Sequence, residues 1–339
     1  MNRSRLHSLR NIAAALLACV VFASCSQDEL AEKDTSLPAG KYPLELTASI
    51  GEAVATPATR GTAHGTWPYN TKLLLHYASS TRYPDEDNIN WGSRFICNID
   101  ANGTVNITDN LGYDVTPYWK NSKETIYIYT GTNPLDYGNG RQSWTVETDQ
   151  SDEGKLNESD YLVAYGAFTF QKDYTHTLTF RHLTSKITVK LKQSDYLKAQ
   201  DPDDVKVTLG TKDEQWYIEG SFKGQPKEIT MVGEGDKSRA QEIILYKNPN
   251  QTAAGIYATY EAILIPQQIT GTGKTIQIKV GDATYNYTIE CPNGNFSGGE
   301  EWIYNITVKE NELEVSIDYR ENISWGTDGN TGNGEVELP

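Results

Sequence analysis

The clearest pattern of apolar and polar positions lies in residues 42–61, YPLELTASIGEAVATPATRG. In its first half every second position is apolar: Leu44, Leu46, Ala48 and Ile50. Such period-2 alternation predicts a half-buried β-strand. Small residues and one proline follow up to Arg60-Gly61, and they predict an exposed, protease-accessible loop. These residues alone leave two interpretations open: a strand that proteolysis separates from the body, or a first strand followed by an ordinary loop.

The remainder of the chain consists of short apolar segments separated by turn residues. Strands are predicted at residues 72–78, 94–99, 104–107, 125–129, 144–147, 160–170, 175–191, 205–209, 216–222, 242–245, 257–265, 275–280, 283–290, 302–308 and 313–317. Asn102-Gly103 and Gly281-Asp282 are typical of tight hairpin turns. No segment sustains the period of 3.6 residues that is typical of a helix, and only residues 195–200 indicate a helical turn. The pattern predicts an all-β fold built from β-sandwiches.

Residues 1–24 have the features of a signal peptide. Basic residues precede an apolar run at residues 12–24, which is too short to span a bilayer. The run stops at Cys25, and Ser26-Gln27-Asp28-Glu29 follows. This boundary resembles a bacterial lipobox, which implies that Cys25 is lipidated, and the acidic residues resemble the surface-export signal of Bacteroidetes lipoproteins. The alternative is a simple secretory signal with an incidental cysteine.

The charge of the chain argues against nucleic acid as a partner. Removing residues 1–24 takes three basic and no acidic residues from a chain of 30 basic and 45 acidic ones, so the net charge falls from −15 to −18. An acidic protein of the cell envelope is a poor match for a phosphate backbone. The remaining length of about 315 residues allows two domains.

The motifs that could carry chemistry are weak. Gly271-Thr272-Gly273-Lys274-Thr275 is similar to part of a phosphate-binding loop, but Gln268 stands where that loop needs glycine, so a hairpin turn is favoured. Histidines are scattered and no GxSxG-type elbow appears, although a Ser–His–Asp site is recognised by geometry rather than by sequence. Acidic clusters at residues 85–87 and 201–204 lack the spacing of a calcium loop. We therefore predict no enzyme, no cofactor and no metal site.

Two cysteines and several aromatic pairs leave alternatives open. Cys97 and Cys291 could form a disulfide, but two buried free thiols are favoured because their spacing does not indicate a pair. Aromatic pairs could stack on sugars, although most are expected to pack in a core. These pairs are Trp67/Tyr69, Tyr118/Trp119 and Trp216/Tyr217.

Several stretches together resemble the fimbrillin family of Bacteroidetes, including its Mfa-like group. They are residues 46–67, 180–191 (FRHLTSKITVKL), 261–268 (EAILIPQQ), 296–308 (FSGGEEWIYNITV) and 315–325. The resemblance implies two tandem transthyretin-like β-sandwich domains. The expected divisions are a lipoprotein signal at 1–24, an acidic tether at 25–41, an N-terminal domain at 42–181, a C-terminal domain at 182–325 and a glycine-rich tail at 326–339. Residues 42–60 are the expected removable first strand and cleavage loop.

The resemblance also implies a mechanism of assembly. Such precursors reach the outer membrane as lipoproteins, and an Arg-specific protease cuts after an arginine, here Arg60, leaving Gly61 as the new N-terminus. Residues 44–50 would then leave, and a strand from a neighbouring subunit would take their place. In this chain the candidate donor residues are Val336 and Leu338, which are few for a donor strand.

The resulting hypothesis is a structural and adhesive subunit of a type V fimbria at the cell surface. Its expected partners are other fimbrial subunits, the protease, the outer membrane through the lipid anchor, and a host or bacterial surface receptor. The alternative is a permanently anchored outer-membrane glycan-binding lipoprotein that does not polymerise, with Tyr118/Trp119 as an exposed aromatic pair.

Overall fold

The computed structural model describes residues 35–50, 71–83, 94–132, 143–211, 215–250 and 253–320. Within these ranges the chain is almost entirely β-strand and connecting loop, which confirms the predicted all-β class. None of the helices there is long and apolar enough to cross a bilayer.

A closed barrel occupies the first half of the chain. Its strands are β1 (Glu45–Ile50), β2 (Thr71–Ser79), β3 (Phe95–Ile99), β4 (Thr104–Thr108), β5 (Thr125–Gly131), β7 (Leu162–Thr169) and β8 (Thr175–His182). Their order around the barrel is β1-β4-β3-β2-β5-β7-β8, so β1 closes the ring between β4 and β8. Alternate side chains of these strands point inward and form one apolar core. The hairpin predicted at Asn102-Gly103 joins β3 to β4.

Two packed sheets form most of the second half. One contains β9 (Ser185–Lys192), β16 (Tyr246–Asn248), β17 (Ile256–Leu264), β22 (Glu301–Val308) and β23 (Leu313–Arg320), in the order β16-β17-β9-β22-β23. The other contains β10 (Val205–Leu209), β15 (Ile243–Ile244), β19 (Thr275–Val280) and β20 (Ala283–Thr288), in the order β15-β10-β19-β20. Their apolar faces share one core, as expected for a sandwich.

Short strands and helices complete the described chain. A small sheet has the order β13-β12-β6, from β6 (Ser143–Thr145), β12 (Glu219–Lys223) and β13 (Thr230–Val232). Two further pairs are β11 (Trp216–Tyr217) with β14 (Arg239–Ala240), and β18 (Gln267–Gln268) with β21 (Asn295–Phe296). The helices are α1 (Glu153–Ser159) and α2 (Asp195–Lys198), with 3₁₀ turns at Pro202–Asp204 and Pro226–Glu228.

The sequence prediction of one strand over residues 175–191 was wrong. The chain breaks between His182 and Ser185 into β8, in the barrel, and β9, in the five-stranded sheet. The inward positions change parity at this point, because Leu178 and Phe180 are buried before it and Ile187 and Val189 after it. This crossing supports a domain boundary near residue 182, which remains a proposal.

The two halves share a third apolar core. It brings Tyr161 and Val163 of the first half together with Met231 and Ile263 of the second. β6, from the first half, also pairs with β12, from the second. Shared burial of this kind predicts that the halves stabilise each other.

Candidate functional site: the seat of the first strand

The apolar side chains of β1 are buried in the barrel core. Leu44, Leu46, Ala48 and Ile50 are between 2% and 6% exposed, whereas the outward residues are half-buried or exposed. The structure therefore confirms the strand that the alternation predicts. The strand begins at Glu45, so Leu44 directly precedes it, and all four predicted residues lie in the barrel core. This burial gives β1 a role in stabilising the barrel.

Two ladders of unequal length hold β1. It runs parallel to β8 over six paired positions, from Glu45–Thr175 to Ile50–Phe180. It runs antiparallel to β4 at only two, Leu46–Val105 and Thr47–Thr104. We call residues 104–105 of β4 and 175–180 of β8 the β1 seat. Removing β1 would open the barrel along both strands of this seat.

Much of β8 has β1 as its ladder partner. The register between β7 and β8 covers only the end of the strand: Leu162–His182, Val163–Arg181 and Ala164–Phe180. Residues 175–179 therefore pair with β1 alone among the described strands. Loss of β1 would leave this stretch as an open edge with unpaired backbone groups, which is a template for strand addition.

Gly103 allows β1 to approach the β3–β4 turn closely. The Ala48 N–H donates to the Gly103 carbonyl over 2.7 Å, and a Cβ on Gly103 would lie 2.7 Å from the Ala48 oxygen. Gly103 also has φ +80°, a conformation that favours glycine. The Asn102-Gly103 signal thus predicts the turn, but its contact with β1 could not be found from sequence.

The chain before β1 is also bound to the barrel. Hydrogen bonds join Leu44 N–H to the Pro117 carbonyl and Trp119 N–H to the Tyr42 carbonyl, at 2.8 and 2.9 Å. Farther upstream, Ser122 N–H donates to the Thr35 carbonyl over 2.7 Å. We call residues 35–50 the leading segment. Its contacts extend into residues 35–41, for which the sequence predicts only a tether.

An aromatic cluster lies where the leading segment meets β8. Tyr42 and Trp119 both pack edge-on against Phe170. The ring centroid of Phe170 is 5.4 Å from that of Tyr42 and 6.0 Å from that of Trp119. His176 lies opposite Leu46 in the β1–β8 ladder, with its ring centroid 5.0 Å from that of Phe168 and 4.9 Å from that of Tyr174. Burial lowers the pKa of His176, so its neutral form is favoured in this cluster.

The glycan hypothesis predicted that Tyr118 and Trp119 form an exposed aromatic pair, and this prediction was wrong. Trp119 is only 3% exposed and belongs to the barrel core, while its neighbour Tyr118 faces outward. Trp216 of a second pair is fully buried. Neighbouring residues of an extended segment point to opposite sides, so an adjacent pair cannot present both rings on one surface.

The remaining predicted residues divide into two groups. Cys97 and Cys291 are both buried free thiols, and burial raises the pKa of Cys97 to about 12 and that of Cys291 to about 11. The other predicted positions lie outside the described residues: Cys25, Arg60, Gly61, Val336 and Leu338, together with Trp67, Tyr69 and residues 85–87.

Other side chains that could take part in catalysis or bind metal form hydrogen bonds with neighbouring residues. His182 Nδ1 lies 2.9 Å from the Asp160 carboxylate, and Thr184 donates to the same carboxylate, but this cluster is buried beneath the junction of β8 and β9. Asp201, in the second acidic cluster, accepts from the Asp203 N–H and caps a 3₁₀ turn. In the described ranges no three His, Cys, Asp or Glu side chains are grouped to hold a metal ion.

Comparisons with known proteins agree with this architecture. A family model described as fimbrillin-like matches residues 59–319. A candidate cell adhesion protein from Bacteroides ovatus has a similar structure, with a TM-score of 0.58 and 18% identity, over 83% of this chain and 98% of its own. Another, from Bacteroides uniformis, has a TM-score of 0.55 and 16% identity, over 85% of this chain and 100% of its own. No curated protein sequence gives a significant match.

Proposed function

The chain belongs to the fimbrillin-like family, which makes it a fimbrial or adhesive protein of the cell surface, and we propose that it is assembled into a type V fimbria by strand exchange. In this proposal Cys25 carries the lipid anchor to the outer membrane, and an Arg-specific protease cuts between Arg60 and Gly61. The leading segment then leaves, and a strand from another subunit occupies the β1 seat. Val336 and Leu338 are the candidate donor residues of this chain.

The observation that carries the proposal is the position of β1. It is the first described strand, it closes the barrel, and its antiparallel ladder to β4 has only two paired positions. A strand at the start of the described chain, once separated from the body by a cut, can leave without passing through the described fold. The seat it vacates offers both an apolar groove and two open backbone edges.

The energetics require a replacement strand. Leu44, Leu46 and Ile50 each gain about 1.5–3 kcal/mol from burial, and all three lose it when β1 leaves. The edge of residues 175–179 loses its ladder bonds at the same time. A donor strand with apolar residues at alternate positions would restore both contributions, which gives assembly its driving force.

Limited digestion with an Arg-specific protease tests the trigger. We expect one early cut, a new N-terminus at Gly61 and a body that keeps its far-ultraviolet circular dichroism. The Arg60→Gln variant is the control, because it removes the cleavage site and changes no described contact. Resistance of the folded protein at Arg60, or earlier fragmentation elsewhere, would contradict the proposal.

A further inference from the structure

A cavity of about 280 Å³ opens where the leading segment meets the turn between β7 and β8. Its aromatic lining consists of Tyr42, Trp119, Phe170 and Tyr174. Trp119 is buried, whereas Tyr174 is 49% exposed. The cavity therefore combines a packed aromatic base with an accessible tyrosine ring at its rim. It is smaller than sites for drug-sized ligands, which occupy about 300–1,000 Å³.

The rings at the base of the cavity are held in place by packing against each other. The Tyr42 and Phe170 rings meet at an interplanar angle of 73°, and the Trp119 and Phe170 rings at 72°. Edge-to-face packing of this kind fixes ring orientation. Tyr174 packs edge-on against His176 at 4.9 Å and remains half-exposed. A ligand would meet rings whose positions are already fixed, so little side-chain ordering opposes its binding.

The charged groups around the cavity balance each other. Lys41 and Lys172 contribute two positive charges, Glu45 and Asp173 contribute two negative charges, and Gln171 adds a neutral amide. Asp173 is the one non-glycine residue of the described chain with a positive φ, at 55°. A lining without net charge does not favour phosphate or another anion. It offers donors and acceptors to a neutral ligand with many hydroxyl groups.

We propose that this cavity binds a neutral carbohydrate through a single pyranose ring. The C–H face of the sugar would stack on the tyrosine and phenylalanine rings, and its hydroxyl groups would exchange hydrogen bonds with the surrounding carboxylates, amide and amines. Both features are needed, because aromatic rings alone would equally suit an apolar ligand, and charged groups alone would suit an ion.

The site also links ligand binding to the leading segment, and this part rests on the proposed function. Lys41, Tyr42 and Glu45 belong to the segment that is proposed to leave, whereas Phe170 and Tyr174 stay with the body. A bound sugar therefore contacts both sides and stabilises the uncut arrangement by mass action. Removal of the segment removes four of the ten lining residues, so the cut body loses its affinity for the sugar.

Saturation-transfer-difference NMR on the uncut protein tests the site. The probes are the methyl glycosides of glucose, galactose, mannose and N-acetylglucosamine, each at millimolar concentration. We expect at least one to receive saturation at its ring protons, and Tyr174→Ala to weaken its binding about five- to tenfold. Tyr113→Ala is the matched control, because Tyr113 is an exposed tyrosine outside the cavity.

The outcomes separate this site from the proposed function. The site is overturned if none of the four glycosides binds, or if Tyr174→Ala and Tyr113→Ala have equal effects. Binding that persists after the leading segment has been removed overturns the link between the two. If the segment cannot be removed at all, the strand-exchange proposal fails, while glycoside binding to the uncut protein still decides the carbohydrate site.

Discussion

Gly103, directly before the β1 seat, and His176, within it, contact residues that are far away in sequence. Alternation identifies Leu44, Leu46, Ala48 and Ile50 directly, because each position follows from the pleat of one strand. No neighbouring sequence feature indicates that the backbone of Ala48 closely approaches Gly103, or that His176 lies beside Trp119. Those contacts arise when the barrel closes, so only the structure could reveal them.

Gly103→Ala is predicted to destabilise the uncut protein through β1. The new Cβ would lie 2.7 Å from the Ala48 oxygen, so the strand must shift, at a cost of about 1–3 kcal/mol beyond the backbone strain. Gly112→Ala is the matched control, because Gly112 also has a positive φ but open space around its Cβ. Equal losses in free energy of unfolding, measured by urea denaturation, would show that the approach of β1 is unimportant.

The seat of β1 is predicted to weaken in acid because of His176. Burial lowers the pKa of His176 from its ordinary value of about 6.5. The neutral ring is therefore favoured when β1 is bound, and this stabilisation is complete above pH 6.5 and lost as the pH falls toward the lowered pKa. Urea denaturation at pH 7.5 and pH 5 should show a larger difference for the wild type than for His176→Gln. The same difference in both proteins would exclude this role.

Among the elements, β1 and β19 follow their sequence patterns, whereas the helix α1 and the β8–β9 junction do not. Seven residues give α1 too few turns for a helical period to be recognised, although Asp152 supplies a cap by accepting from Lys155 N–H. At the β8–β9 junction the buried apolar positions change from even-numbered to odd-numbered residues. Whether this change marks a crossing between sheets depends on the sheet that each strand joins, and sheet partners are set by long-range pairing.

Leu46→Asp is predicted to destabilise the uncut protein, because Leu46 lies in the barrel core. A Leu→Ala change in a core costs about 2–5 kcal/mol, and a buried carboxylate costs more. Thr47→Asp is the control, because the neighbouring side chain lies on the outer face of β1. Thermal unfolding should show a much lower midpoint for uncut Leu46→Asp than for uncut Thr47→Asp. Equal midpoints for the two variants would contradict the burial of β1 in the barrel core.

Residues 175–179 are predicted to lose protection from hydrogen exchange when β1 leaves. Their ladder partner in the described chain is β1, whereas β5 pairs with both β2 and β7. Exchange measured by mass spectrometry before and after the cut at Arg60 and removal of the segment should therefore rise in peptides that cover β8 and remain low in β5. A uniform rise would indicate general unfolding of the barrel.

At the scale of the whole molecule, the two halves share an apolar core, and a buried ion pair of the second half lies beside that core. Lys186 Nζ lies 2.6 Å from a Glu261 carboxylate oxygen, and both side chains are fully buried. Burial alone would lower the pKa of Lys186, but Glu261 and Glu301 outweigh it and raise that pKa above its usual value. Lys186 pairs across the ladder with Ile263, which belongs to the core that joins the two halves.

Lys186→Met is predicted to lower the stability of the entire chain. It leaves Glu261 buried without its cation, a change that typically costs about 3–5 kcal/mol. Because the core around Ile263 is shared, calorimetry should show one transition at a lower temperature. Lys206→Met, on an exposed position of β10, is the control and should leave the midpoint nearly unchanged. Two separate transitions, with only one of them shifted, would contradict shared stabilisation of the halves.

Exchange of the leading segment against a free peptide shows whether β1 is removable. The protein is cut at Arg60 and mixed with an excess of a fluorescent peptide of residues 35–50, and bound peptide is followed by native mass spectrometry. We expect the cut protein to release its own segment and take up the peptide with its barrel intact, while the uncut protein takes up none. Failure of the cut protein to exchange, or collapse of the barrel once the segment leaves, would contradict a removable first strand.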